Sequence, residues 1–190
     1  MFKLKRSFYQ KPAEKIAKEL LGKYLVFNFP KGKLSGRIIE VEAYPAFKDN
    51  VSHGNKKTKR TEIMYKKGGY AYIYLVYGRH YQFAVVVNKK DIPEVVFIRA
   101  IIPGEGMDIM KKNFKRLIKG VKELTQSPGN LCKAFGITLD LYGEDLTKNK
   151  LFIEDRGEKV DKEKITETSR VGISKKLRGY NKKLRYILQI

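Results

Sequence analysis

Ten residues, Gly36-Arg37-Ile38-Ile39-Glu40-Val41-Glu42-Ala43-Tyr44-Pro45, do most to restrict what this chain can fold into. Read as a strand of period two, they place Ile39, Val41 and Ala43 on one face and Glu40, Glu42 and Tyr44 on the other. Proline has no backbone N–H and is confined to sheet edges and strand ends, so the strand stops at Pro45 and leaves Glu42 and Tyr44 beside an opening. A catalytic carboxylate would sit in such a place. A plain solvated strand face carries the same pattern, and this stretch alone does not separate the two.

The flanking segments supply partners for that strand. Lys23 to Phe29 reads as a strand, Pro30-Lys31-Gly32-Lys33 as a turn, and Leu34 to Tyr44 as the returning strand, so a hairpin delivers Glu42. Gly68 to Asn88 has the strongest strand signal, with Tyr70, Tyr72 and Tyr74 on one face and Ala71, Ile73 and Leu75 on the other. Tyr77-Gly78-Arg79-His80 offers a turn before Tyr81 to Val87, which makes an aromatic hairpin with a tyrosine at its tip. Cross-strand packing accounts for most of these rings, but a ring on a basic tip also has the form of a wedge that opens a duplex. Glu94 to Ile102 is an apolar strand broken by Arg99, and a buried arginine needs a partner. If this strand adjoins the Glu42 strand, Glu42 is the nearest candidate, and the pairing would keep that carboxylate ionised. Leu151 to Ile153, Val171 to Ile173 and Leu184 to Leu188 complete the expected sheet.

Helices are fewer. Pro12, the apolar Ile16, Ala17, Leu20 and Leu21, and Gly22 describe a short amphipathic helix. Met107, Met110, Phe114, Leu117, Ile118, Val121 and Leu124 trace the stripe of one longer helix. Ser127-Pro128-Gly129-Asn130 opens another that runs through Phe135, and an N-terminal turn of this kind can hold a phosphate. The class is α+β.

Charge narrows the partner. The 190 residues carry 41 Lys+Arg against 20 Asp+Glu, a net +21, which is the footprint of a protein that meets a polyphosphate. A lysine-rich proteome explains part of the excess, less easily all of it. The loop from Asp49 to Lys67 concentrates Lys56, Lys57, Lys59, Arg60, Lys66 and Lys67, and it reads equally as solvated surface or as a backbone-phosphate contact. Cys132 is the single cysteine, so no intrachain disulfide is possible and a reducing, cytoplasmic compartment is expected. With His53 and His80 the only histidines, no metal site is expected. The most apolar run, Val95 to Ile102, is short and contains Arg99, so no membrane association is expected.

Taken together and in order, the motifs resemble the alkyladenine (3-methyladenine) DNA glycosylase family, the single-domain type without a helix-hairpin-helix. The matching stretches are Leu20-Leu21-Gly22, Glu40-Val41-Glu42-Ala43-Tyr44, Ser52-His53, Thr58-Lys59-Arg60, Tyr72 to Gly78, Ile98-Arg99-Ala100, Ser127 to Cys132, Arg170-Val171-Gly172 and Leu184-Arg185-Tyr186. The resemblance implies one domain over residues 1–190, a curved antiparallel sheet with surrounding helices and a protruding DNA-inserting hairpin. It implies a monofunctional enzyme of base excision repair, without lyase activity or cofactor. Such an enzyme flips alkylated or deaminated purines out of damaged duplex DNA and hydrolyses the N-glycosidic bond. By the same resemblance Glu42 is the general base and Arg99 helps to hold it. Tyr44, His53 and Tyr74 wall the base pocket, Tyr77 intercalates, and Lys59, Arg60, Arg79 and Asn130 contact the DNA backbone. The protein is then expected to act as a monomer, and in a prokaryote at the nucleoid.

The chain departs from the family where an asparagine of the base pocket is replaced by Ala84, within Tyr77-Gly78-Arg79-His80-Tyr81-Gln82-Phe83-Ala84. Substrate preference is the property this affects, and Gln82 and Asn88 are the polar neighbours that could fill the same space. Two rival readings remain: a nonenzymatic lesion-sensing or RNA-binding module on the same fold, and an enzyme of this fold acting on RNA.

Overall fold

The computed structural model describes residues 1–30, 32–47, 50–114 and 117–190; Lys31 of the expected first turn and Asp49 at the start of the basic loop lie outside these residues. The described residues build one α+β unit around a nine-stranded, open sheet in which every strand pair is antiparallel. The strands are β1 (Phe2–Lys3), β2 (Tyr24–Phe29), β3 (Gly32–Tyr44), β4 (Ala71–Val76), β5 (His80–Val87), β6 (Glu94–Pro103), β7 (Leu151–Asp155), β8 (Ile165–Thr168) and β9 (Arg185–Leu188). Their order is β1-β7-β2-β3-β6-β5-β4, with β9 paired to β3 and β8 to β9. Sequence periodicity did not reveal β1 or β8, which are too short to show one. Val171 to Ile173, expected as a strand, instead forms a turn.

The long strand β3 is the organiser. Its first half pairs with β2, through Arg37, and its second half pairs with β9 from Glu40 on, while β6 runs along the other edge. Register shifts between Ile38 and Val41 mark a bulge where the partner changes. An extra residue in a strand reverses the facing of everything beyond it. Leu34 and Ile38 therefore enter the main core before the bulge and Val41 and Ala43 after it, whereas Ile39, assigned to the core by simple alternation, is only half-buried.

The sheet separates two apolar clusters. On one face lie Val41, Ala43, Ala71, Ile73, Phe83, Val85, Val87, Val96 and Ile98, covered by α1 (Ala13–Leu20) and α4 (Pro128–Phe135), which contribute Ile16, Leu20, Leu131 and Phe135. On the other lie Tyr72, Ala84, Val86, Val95 and Phe97 with Ile63 and Met64, edged by Tyr44, Tyr65, Tyr70, Tyr74 and Tyr142. The period-two alternation of β4, β5 and β6 puts Ala71, Ile73, Phe83, Val85, Val96 and Ile98 on the first face and Tyr72, Ala84, Val86, Val95 and Phe97, with Tyr74 at the edge, on the second. Leu75 lies beyond the first core and is partly exposed.

Pro12, the N-cap of α1, offers no side-chain hydrogen bond, and the buried Glu94 carboxylate takes its place: Oε2 accepts from Ala13 N at 2.8 Å. Its Oε1 accepts from Ala46 N at 3.2 Å, so one carboxylate holds both the helix start and the turn that ends β3. The expected single helix from Met107 to Leu124 is two short ones, α2 (Met107–Lys112) and α3 (Val121–Thr125). Gly120 is extended and caps α3, because glycine has poor helix propensity and no core demands a helix there. No helix among the described residues is long and apolar enough to cross a membrane.

Candidate active site

On the tyrosine face the structure opens a cleft of about 580 Å³ whose lining includes Tyr44, His53, Arg60, Tyr72, Tyr74, Tyr77, Gln82, Ala84, Phe97, Arg99 and the turn Val171-Gly172-Ile173. Strand β3 brings Tyr44, β4 and β5 bring Tyr74, Gln82 and Ala84, and β6 brings Phe97 and Arg99. His53 arrives on a short 3-10 turn capped by Ser52. Its Nδ1 lies 3.1 Å from the Tyr72 hydroxyl, and its ring meets the edge of Tyr74 with centroids 5.0 Å apart. Tyr72 and Tyr74 stack at 5.1 Å. Burial, and then the charge of Arg60, lower the His53 pKa, so its ring is neutral at pH 7. Burial pushes the Tyr72 hydroxyl up to about 12 and raises Tyr74 as well, leaving both as neutral donors.

Glu42 lies against Tyr44 with no solvent exposure at all. Its Oε2 accepts from Tyr44 OH at 2.9 Å. Its Oε1 accepts from Val171 N at 2.7 Å and lies 3.3 Å from Arg99 Nη1. The expected adjacency of the two strands therefore holds, but Arg99 is bound more closely elsewhere: its Nε is 2.7 Å from Glu40 Oε1, which Arg185 also holds at 2.7 Å. Nor do these partners keep the Glu42 pKa down. Burial raises it above the ordinary carboxylate range, against the lowering by Arg99, the Val171 N–H, the Tyr44 hydroxyl and Arg185, because desolvation of a sealed carboxylate exceeds what these partners return.

Tyr77 is at the hairpin tip and 92% exposed. Its φ is +50° and that of Gly78 +65°. Glycine takes this conformation freely, whereas tyrosine does so at a cost of roughly 1 kcal/mol, so the turn alone gives no reason for an aromatic residue there. Arg79 is exposed beside it. Of the other residues expected at a DNA backbone, Lys59 is exposed on the loop, Arg60 lines the cleft itself, and the Asn130 amide donates to Glu123 O at 2.9 Å, tying α4 to α3.

Sequence reasoning missed the cap over Glu42. Arg170 is buried, donates to Ala43 O at 3.2 Å and Gly179 O at 3.1 Å, and stacks on the Tyr44 ring at 4.8 Å. It thereby seats Val171 on the carboxylate. The Arg-Val-Gly run was visible as a motif, but its location was not, since 129 residues separate Val171 from Glu42. Among the described residues no cluster of His, Cys, Asp or Glu could hold a metal ion.

An aromatic cleft whose lining residues Tyr44, Arg99 and Val171 hold a buried carboxylate behind them, with an exposed tyrosine at its rim and a chain charge of +21, has the form of a nucleic-acid-handling class of protein. The family model for methylpurine-DNA glycosylase (MPG) matches residues 7–190. Curated relatives named "Putative 3-methyladenine DNA glycosylase" come from Clostridium novyi, 42% identical over 91% of this chain and 88% of that protein, and from Natranaerobius thermophilus, 49% identical over 78% and 76%. One from Legionella pneumophila is 38% identical over all of this chain and 96% of its own. The chain belongs to the methylpurine-DNA glycosylase family.

Proposed function

We propose that residues 1–190 act as a single, monomeric glycosylase domain that removes damaged purines from duplex DNA by hydrolysis of the N-glycosidic bond. One observation carries the reading: a fully buried carboxylate, Glu42, held by three protein groups against the cleft wall. A carboxylate that only filled space would be replaced by an apolar residue at no loss of stability, so its retention favours chemistry over a mere binding module.

In this reading the flipped base enters between Tyr44, His53 and Tyr74, and Tyr77 fills the gap left in the stack. Of the four lone-pair sites on a carboxylate, Glu42 commits three, and one on Oε2 has no protein partner; DNA binding must admit a water to it, since the carboxylate has no solvent exposure in the free protein. As that water attacks C1′, Glu42 takes its proton and the electron pair of the C1′–N bond leaves with the base. An alkylated purine starts cationic and departs neutral, so it needs no acid. A neutral His53 adds no repulsion to such a base. Attack by water rather than by an amine leaves an abasic site and no strand cleavage. Exposed Lys59 and Arg79 are placed to meet phosphates, and a reducing cytoplasm, with the nucleoid as the site of action, suits the free Cys132.

The test is base release from duplex DNA carrying 3-methyladenine, 7-methylguanine or hypoxanthine. Released free base with an intact abasic strand is expected. Tight lesion binding without release would favour the nonenzymatic module, and release from RNA alone would favour the RNA enzyme.

A further inference from the structure

Among the described residues, Gln82 is the one side-chain amide lining the cleft. It stands on β5 opposite Tyr74 of β4, and two residues before Ala84, which the alternation of the strand puts on the same face. Its Oε1 accepts from the Tyr74 hydroxyl at 3.1 Å. With Oε1 on the Tyr74 hydroxyl, the amide nitrogen is the end left over. The amide nitrogen has no protein partner among the described residues, and Gln82 is half-buried in the cleft wall. Its two N–H donors are therefore unspent, in a lining otherwise dominated by aromatic and aliphatic groups.

We infer that Gln82 is a specificity-determining residue, whose amide N–H donates to the keto oxygen of a flipped 6-oxopurine. The inference rests on the glycosylase reading and names its preferred substrate class. A donor fixed in a partly desolvated wall favours bases that offer it an acceptor and disfavours those that do not, since an unmatched polar group there loses its hydration without return. Of the acceptors on a purine, O6 is present on guanine-type and hypoxanthine bases, and adenine-type bases carry an amino donor in its place. Ala84, buried on the same face, leaves the neighbouring space clear.

The test compares kcat/KM for release of 7-methylguanine, 3-methylguanine and 3-methyladenine, all cationic before cleavage so that charge cancels, together with hypoxanthine. In Gln82→Met, which keeps the length but not the donor, the ratio of each 6-oxopurine to 3-methyladenine should fall about fivefold to tenfold, the scale of one hydrogen bond. Hypoxanthine lacks a 2-amino group, so its fall with the methylguanines assigns the contact to O6. Gln82→Glu keeps an acceptor for Tyr74 but supplies no donor, and the methylguanine ratios should fall at least as far. If Gln82→Glu retains the wild-type ratios, Gln82 serves only to hold Tyr74 and the inference is overturned. Unchanged ratios in Gln82→Met overturn it too, as does a rise of the 7-methylguanine ratio alone, which would mark a contact to the free N7 that 3-methyladenine shares with the other bases. Wild-type protein that releases no base at all would instead overturn the glycosylase reading.

Discussion

The two faces of the sheet make an instructive contrast. Both are lined by alternate residues of the same β4, β5 and β6, so backbone geometry is shared and only side-chain chemistry differs. One face carries Ile73, Phe83, Val85, Val96 and Ile98 and is closed by helices. The other carries Tyr72, Tyr74, Ala84 and Phe97 and stays open as the cleft. Aliphatic side chains interdigitate to solid density, whereas stacked and edge-on rings with polar tips leave gaps and keep donors to offer. The first face holds the molecule together, and the second bears the burial of Glu42 that a purely structural face would avoid.

If that division is right, damage to the cleft lowers rate without lowering stability, and damage to the core does the reverse. Glu42→Gln should reduce single-turnover base release ~10²–10⁴-fold while lesion binding persists, because the amide fills the space but cannot accept the proton. Its thermal midpoint at neutral pH should not fall. The folded-state pKa of Glu42 is raised, so its protonated form contributes stability that is full below the unfolded value and lost as pH rises through the folded one; at neutral pH ionisation therefore costs stability, and the neutral amide escapes that cost. Excision within a few-fold of wild type would remove Glu42 from the chemistry.

Phe83→Ala, on the opposite face of β5, should cost about 3–5 kcal/mol in denaturant unfolding and leave the rate per folded molecule near wild type. A large rate loss in the folded fraction would show that the two faces are coupled. Tyr77→Ser should weaken binding to damaged duplex by roughly a few kcal/mol, the scale of unstacking, and affect a single-stranded lesion much less, since only the duplex has a gap to fill. Equal losses on both substrates would return Tyr77 to a structural part in the turn.

Smaller effects sharpen the contrast within the cleft. With Glu42 as the proposed general base, activity needs its ionised form, so the acid limb of kcat should lie above the ordinary carboxylate range, rising as pH passes the raised pKa. Arg99 lowers that pKa, and Arg99→Met should move the limb to still higher pH; a pH–rate profile that stays in place would mean Arg99 acts only through Glu40. Smallest is the change at Ala84. It is buried between its cross-strand partners Tyr72 and Phe97 and lines the cleft. Ala84→Asn should lower methylguanine release relative to methyladenine several-fold, by presenting a clash or an unmatched donor to the 2-amino edge. An unchanged ratio would remove Ala84 as a determinant. Asn88 is no rival for this part, since it lies beyond the end of β5 with its Oδ1 accepting from Lys89 N at 2.9 Å.

Much of this was legible in the residues themselves. Alternation placed Tyr70, Tyr72 and Tyr74 together and opposite Ala71 and Ile73, Pro45 ended the Glu42 strand, and Ser127-Pro128 began a helix that ends at Phe135. These follow from local rules, a two-residue repeat, a missing N–H and a hydroxyl cap, that act within a few positions along the chain. The long helix from Met107 failed because its apolar stripe was not matched by a core along its whole length. The bulge at Ile39-Glu40 was invisible, since two adjacent isoleucines suit either register and only the change of partner from β2 to β9 selects one. The same holds for the environment of Glu42. Whether a carboxylate is solvated or sealed depends on what comes over it, and here that is Val171, seated by Arg170 from the far end of the chain, with Arg99 shared between two glutamates. Burial and electrostatics sum over neighbours in space, and neighbours in space are what the folded sheet assembles.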